Sequence, residues 1–354
     1  RSAMEQRLPG RTEGGDWHSV VRHQVSHGND GTGQKVGVIG LFDTSILASQ
    51  IAAGEIRDVP ASQRFCVENG SPCTFGTPGA SWAPALLEVF HDSAGGPEVY
   101  LAELNAGLDY VAAIDWFAAN GVTKVLHYWD VPLDGPGDGT GFSASVVDYA
   151  VGKGILWVNS VGTLGADYQY FKWNGPHWTG TWKDSNANRY MEWSGSDESM
   201  GVYCGWLTGV RWSDWGATKT DYDLYISDYR ASSGSNGGKV LASAFNQGTG
   251  GAAPLEGNDF RPMCNTNPAK GPVYDTNGDG FISLWLYRTT RSTQSPTGDT
   301  IDVVLSGGWL EYASSNRTVA MPFVDTKNSG ALVVTGLEEP YGTLRWFMSR
   351  GYTT

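Results

Sequence analysis

The hydrophobic period of this chain changes near Trp173 and changes back after about Gly308, and that interruption limits the fold more than any other feature. Before it, short strand and helix signals alternate. Lys35-Val-Gly-Val-Ile-Gly40 is a short apolar run ending in small residues, as expected of a strand buried on both faces of a parallel sheet. Residues 83–92 follow as a helix, 97–104 as a strand, and 108–120 as an amphipathic helix with Val111, Ile114, Phe117 and Ala118 on one face. Residues 121–130 read as a strand, 143–154 as a helix closed by Gly154, and 155–162 as another strand. Such alternation predicts a doubly wound parallel sheet, with function at the carboxyl ends of its strands.

From Trp173 to about Gly308 the period becomes two. The runs "YMEWSG", "GVRWSDW", "DYDLYISDY", "GKVLASAFNQ", "GFISLWLYR" and "DTIDVVLSG" are separated by Gly, Asn and Asp turns. That spacing predicts a β-sandwich. "SGALVVTGL" and "GTLRWFMSRGYTT" then return to buried-sheet material. The predicted organisation is an α/β domain over 1–172, an all-β sandwich inserted over 173–308, and a return to the first domain over 309–354.

With 48 Gly and only 17% charged residues, the 354-residue chain reads as ordered, loop-rich and β-containing. A net charge of −13 argues against nucleic acid as a partner. No apolar run is long enough to cross a bilayer. The chain opens at Arg1 with no apolar signal segment, which reads as a processed or partial chain. Of the three pairings open to its four cysteines, Cys66–Cys73 with Cys204–Cys264 keeps each bridge local. No His–Cys cluster accompanies them, so a disulfide role in an extracellular protein is expected. Asn316-Arg-Thr318 is a glycosylation acceptor sequon.

The pieces, in order, resemble the subtilisin-like serine peptidases, in a bacterial secreted branch with a β-sandwich inserted after the oxyanion strand. "GTGQKVGVIGLFDTS" resembles the family's first strand, "ALLEVFHDSAGGPEVYLAEL" the helix and strand after the catalytic histidine, and "AAIDWFAANGVTKVLHYWD" one wall of the substrate cleft. "GKGILWVNSVGTLG" resembles the oxyanion strand, and "HWTGTWKDSNANRYMEW" the passage into the insert. "RWSDWGATKTDYDLYISDY" with "APLE" resembles sandwich modules of the pre-peptidase C-terminal type, and "ALVVTGL" with "LRWFMSRGYTT" the late strand and turn before the nucleophile segment.

The resemblance implies the fold but not the chemistry. Its aspartate position falls on Leu41, with Asp43 two residues late. Its histidine position falls on Trp82, whose indole only donates and cannot act as a base. Its oxyanion asparagine becomes Thr163, and Thr354 comes before any nucleophile segment. Ser81 in "GASWAP" mimics a nucleophile turn, but its surroundings match the histidine helix, and the resemblance implies that His91 packs under the sheet.

Other candidates are few. Asp275, Asn277 and Asp279 resemble the front half of a calcium loop, but Leu286 stands where the closing acid belongs, and Asn-Gly and Asp-Gly are favoured hairpin turns. A hairpin is the preferred reading, calcium the minority one, and no other cofactor is expected. His18, His23 and His27 lack a partner that would fix a metal geometry and read as solvated. Trp82 and Trp129 read first as core filling of a disused cleft, and second as an aromatic binding platform.

The sequence therefore points to a secreted, catalytically silent subtilisin-like protein with a structural, assembly or binding role. Its expected partners are further copies of itself or another extracellular protein. The alternatives are the amino-terminal part of a longer or cleaved serine endopeptidase, and a peptide- or glycan-binding module.

Overall fold

The structure is a computed structural model and describes residues 30–104, 109–128, 133–136, 139–160, 177–203, 206–216, 220–229, 238–249, 251–257, 261–262, 273–292, 298–306, 308–314, 328–334, 337–338 and 343–344. Described residues within 1–130, 142–160 and 323–345 form an α/β unit; those within 131–141 and 161–322 form an all-β unit.

In the α/β unit the apolar run becomes strand β1 (Lys35–Ile39), with Val38 and Ile39 wholly buried. The chain continues through α1 (Thr44–Ala53), β2 (Arg64–Glu68), β3 (Ser71–Pro72), α2 (Trp82–Ser93), β4 (Glu98–Leu104), α3 (Tyr110–Ala119), β5 (Lys124–His127), α4 (Phe142–Gly152) and β6 (Leu156–Ser160). The sheet order is β17-β6-β5-β1-β4-β2-β3, where β17 is Ala331–Val334. Every pairing is parallel except β2 with β3. β1 lies between β4 and β5, so the strand order turns back at its carboxyl end, where such sheets form their crevice.

Gly37, inside β1, is required by packing. A Cβ there would stand 2.8 Å from the Phe117 ring, which lets α3 press its apolar face onto the strand. Gly154 follows α4 at φ 80°, the left-handed conformation that ends a helix cheaply. The β2–β3 hairpin turns on Asn69 (φ 51°) and Gly70 (φ 76°), a pair suited to two positive φ angles. The buried Asp109 carboxylate accepts both of their amides, at 3.0 and 2.8 Å, and the Cys66–Cys73 disulfide ties the two strands.

The all-β unit contains two antiparallel sheets. One has the order β11-β10-β14-β8-β16, from Val240–Ser243, Tyr222–Asp228, Phe281–Arg288, Met200–Tyr203 and Trp309–Leu310. The other has the order β12-β9-β15-β7, from Leu255–Glu256, Trp206–Trp212, Thr300–Ser306 and His177–Thr181, with β13 (Arg261–Pro262) also on β9. Their inward positions, among them Val202, Val210, Leu224, Leu284 and Val303, share one core with Trp178, Trp193 and Trp212. Trp309–Leu310, which the sequence assigns to the returning segment, pairs with β8.

"YMEWSG" is not a strand. Tyr190 and Ser194 make only isolated bridges, because the loop is set by side chains: Asp184 accepts the amides of Asn188 and Arg189, and Glu192 accepts from Ser185. Met191 and Trp193 still reach the core. Among the described residues, no helix is long and apolar enough to cross a membrane.

Candidate functional site

The carboxyl end of β1 is where the topology and the resemblance both place function. Gly40 follows the strand, and a Cβ on it would lie 2.6 Å from Ala83 Cβ and 2.8 Å from the Tyr128 ring. Tyr128 and the start of α2 therefore fill the space beside the strand end. Leu41 is half-buried and carries no ionisable group.

Asp43, the acid that follows β1 in the chain, serves as the N-cap of α1. One oxygen accepts from the Ser45 amide at 2.7 Å, the Ser45 hydroxyl at 2.5 Å and the Ile46 amide at 3.3 Å; the other accepts from the Gly79 amide at 2.6 Å. The Ser45 hydroxyl, then the Gly79 and Ser45 amides, bring its pKa down to about 2. It stays ionised, but its charge orients backbone and helix rather than a histidine.

Trp82 is the first residue of α2, and 76% of its surface is exposed. This corrects the core-filling expectation. The first turn of α2 turns the indole outward, and Tyr128 does the filling instead. Ser81 occupies the N-cap position without a side-chain cap bond, and His91 lies in the last turn of the same helix. At about 1.5 Å of rise per residue the two stand roughly 15 Å apart, too far for a nucleophile and its base. His91 lines a pocket of about 250 Å³ with Ile56, Phe90 and Pro97, at the amino end of β4.

His127 ends β5 and is buried. Asn159 Oδ1 accepts from Trp157 Nε1 at 3.2 Å, and its amide nitrogen donates to the Ser160 carbonyl at 2.8 Å. The same Oδ1 lies 2.5 Å from His127 Nδ1, so Nδ1 carries the proton. Nε2 then accepts from the Tyr110 hydroxyl at 2.8 Å. Burial lowers the His127 pKa to about 4 against the opposing pull of Asn159, which keeps the ring neutral. With both nitrogens engaged, it is a structural histidine. Glu103, at the end of β4, clamps the Gly76 amide and the Thr77 hydroxyl, and burial raises its pKa.

In the all-β unit, residues 273–280 pair with no strand, which corrects the hairpin reading of Asp275, Asn277 and Asp279. The segment is a loop wrapped on Asp275, whose carboxylate, 2% exposed, accepts the amides of Gly278 and Gly280 at 2.8 and 3.0 Å. Asn277 accepts from the Asp279 amide, and Asp279 from the Phe281 amide. Asp228, at the end of β10, joins Asp275 and Asp279 so that one oxygen of each lies within 4.8 Å of the others. Sequence reasoning missed Asp228, which is brought in only by the strand register. Leu286 is a core residue, so no acid closes the loop on that side. The loop's own amides already compensate these carboxylates.

No family model and no curated protein matches the chain. Among solved structures, the CspB protease of Clostridium perfringens is similar over 96% of this chain and 77% of its own, at 10% identity and a TM-score of 0.48. The PatG macrocyclase in complex with peptide is similar over 46% of this chain and 58% of its own, at 13% identity and a TM-score of 0.25. Scores and identities this low assign the chain no chemistry. Trp129, Thr163, Cys204, Cys264, Asn316, His18, His23 and His27 lie outside the described residues.

Proposed function

We propose that this chain is an extracellular, catalytically silent protein built on a subtilisin-like α/β frame with an inserted all-β sandwich, and that it works by binding or assembly without a resident cofactor. The observation that carries this reading is Trp82: an exposed indole stands where the family would place its base. The acid that follows β1, Asp43, is engaged as a helix cap, and both ring nitrogens of His127 are held by Tyr110 and Asn159. The Cys66–Cys73 bridge supports an oxidising compartment.

The test is a fluorophosphonate serine-hydrolase probe applied to the natural protein, read by intact mass. No adduct is expected under conditions that label subtilisin fully. A stoichiometric adduct would replace this reading with the serine endopeptidase.

A further inference from the structure

β11 is an edge strand of one sheet of the all-β unit and β12 an edge strand of the other, and the chain passes between them over residues 244–254. Two wholly buried side chains, Glu256 on β12 and Gln247 in the crossing, fasten this passage. Glu256 Oε1 accepts from the Phe245 amide and from Gln247 Nε2, both at 2.7 Å. Gln247 Nε2 gives its second hydrogen to the Leu255 carbonyl at 3.1 Å, which settles which way round its amide lies. The other oxygen of each group, Glu256 Oε2 and Gln247 Oε1, is buried and has no hydrogen-bond partner among the described residues.

Two unpaired acceptors on groups already bonded to each other are costly in a folded core. A single hydrogen satisfies both. A neutral carboxyl carries one on its second oxygen, and the amide oxygen is free to accept it. We propose that Glu256 is held as a neutral carboxylic acid whose Oε2 hydrogen is donated to Gln247 Oε1, and that this acid–amide pair is a pH-released latch on the crossing between the two sheets.

The charges that face the carboxyl favour its neutral form. Arg291 is shared by two acids: its Nε donates to Asp221 and its Nη2 to Asp223 at 2.8 Å. A third carboxylate beside them would have no cation of its own. Arg211, opposite Leu255 on β9, is directed to Asp302 and the Gly135 carbonyl. The Ser243 hydroxyl, which accepts the Gly257 amide at 3.0 Å, is a further polar neighbour. The Gln247 amide donates to Asp221 at 3.1 Å, so the crossing is tied to the same acidic group. Burial first, and the Asp223 charge last, raise the Glu256 pKa to about 7 against its hydrogen bonds. The latch is therefore closed in mild acid. It opens as pH rises through about 7, when the proton passes to solvent and the carboxylate is left facing an amide oxygen. This inference goes beyond the function proposed above and does not depend on it.

The test is amide hydrogen exchange of the intact protein, read by mass spectrometry at pH 5.5 and 8.5 with intrinsic exchange rates divided out. Protection of residues 244–249 should fall by about 10-fold or more between the two. Glu256→Gln, whose amide donates to Gln247 Oε1 at every pH, should keep the acid level of protection at both. Infrared difference spectra of the wild type against that variant at pH 5.5 should show the carbonyl stretch of one neutral carboxyl. Equal wild-type protection of 244–249 at the two pH values would overturn the proposal without recourse to a variant. So would an unaltered pH response in Glu256→Gln, or the lack of a neutral carboxyl band. Protection lost at pH 5.5 on adding EDTA would overturn it too, because the two oxygens would then be holding a cation.

Discussion

The carboxyl edge of the parallel sheet and the outer face of the β8–β14–β10 sheet handle their side chains in opposite ways. At the edge, each polar group that resembles catalytic equipment is bound inward. Asp43 caps a helix, Glu103 clamps a loop, and His127 is held between Tyr110 and Asn159. On the face, aromatic rings that alternation would have made polar are left partly open to solvent. Buried polar groups are stabilising only when their partners are all present. Among the described residues, these polar groups at the edge already have protein partners, whereas Tyr203 on the face is 43% exposed. The difference shows that topology alone does not locate function: the described polar groups at the crevice predicted by strand order are held by protein partners.

Substitutions sharpen this contrast by how much each region resists them. His127→Ala should have the largest effect, about 4 kcal/mol, because it leaves a cavity and strands Tyr110 and Asn159 without their partner. Chemical denaturation of the variant measures it.

The buried titrating groups of the two units should also respond to pH in opposite directions. The His127 pKa is lowered in the fold to about 4 from 6.5, so its contribution is complete above pH 6.5 and is lost as pH falls toward 4. The Glu256 pKa in the all-β unit is raised to about 7 from 4.5, by burial first and the Asp223 charge last, against hydrogen bonds from Gln247, Ser243 and the Phe245 amide. Its contribution is complete below pH 4.5 and is lost as pH rises through 7. Glu256→Gln should therefore raise stability by at most roughly 3 kcal/mol at pH 8 and hardly at all at pH 4.5. Melting curves at the two pH values decide it, and equal shifts at both would contradict the assignment.

Asp43→Ala should cost about 1 kcal/mol, the usual value of an N-cap, and should leave fluorophosphonate reactivity at background. Trp82→Ala should change stability by less than about 0.5 kcal/mol, as befits an exposed side chain. A larger loss at Trp82 would mean that the indole packs and that the edge is more closed still.

Local periodicity made most of the fold legible. Strands β1, β4, β5 and β6 and helices α2, α3 and α4 fall where apolar spacing and helix stops put them, because each is decided within one window of sequence. Helix α1 went unread although its Asp43 cap to the Ser45 and Ile46 amides is local, because Leu47 alone of its residues is buried, which leaves no apolar stripe to read. The candidate sites were less legible for a related reason. Trp82 was expected to fill the cleft, but whether an indole at a helix start points in or out depends on what else fills the space, here Tyr128. Asp228 meets Asp275 only through strand pairing. A contact made across strands leaves no period along the chain.

Hydroxyl-radical footprinting of the intact protein, read residue by residue by mass spectrometry, tests the closed edge and the open face in one experiment. Tyr203 and Trp82 should oxidise rapidly, Phe281 and Tyr229 at intermediate rates, and Tyr110, His127 and Trp157 should stay protected until the protein unfolds. Oxidation of Tyr110 or His127 as fast as Tyr203 would contradict the contrast and return the carboxyl edge of the sheet to consideration as a working site.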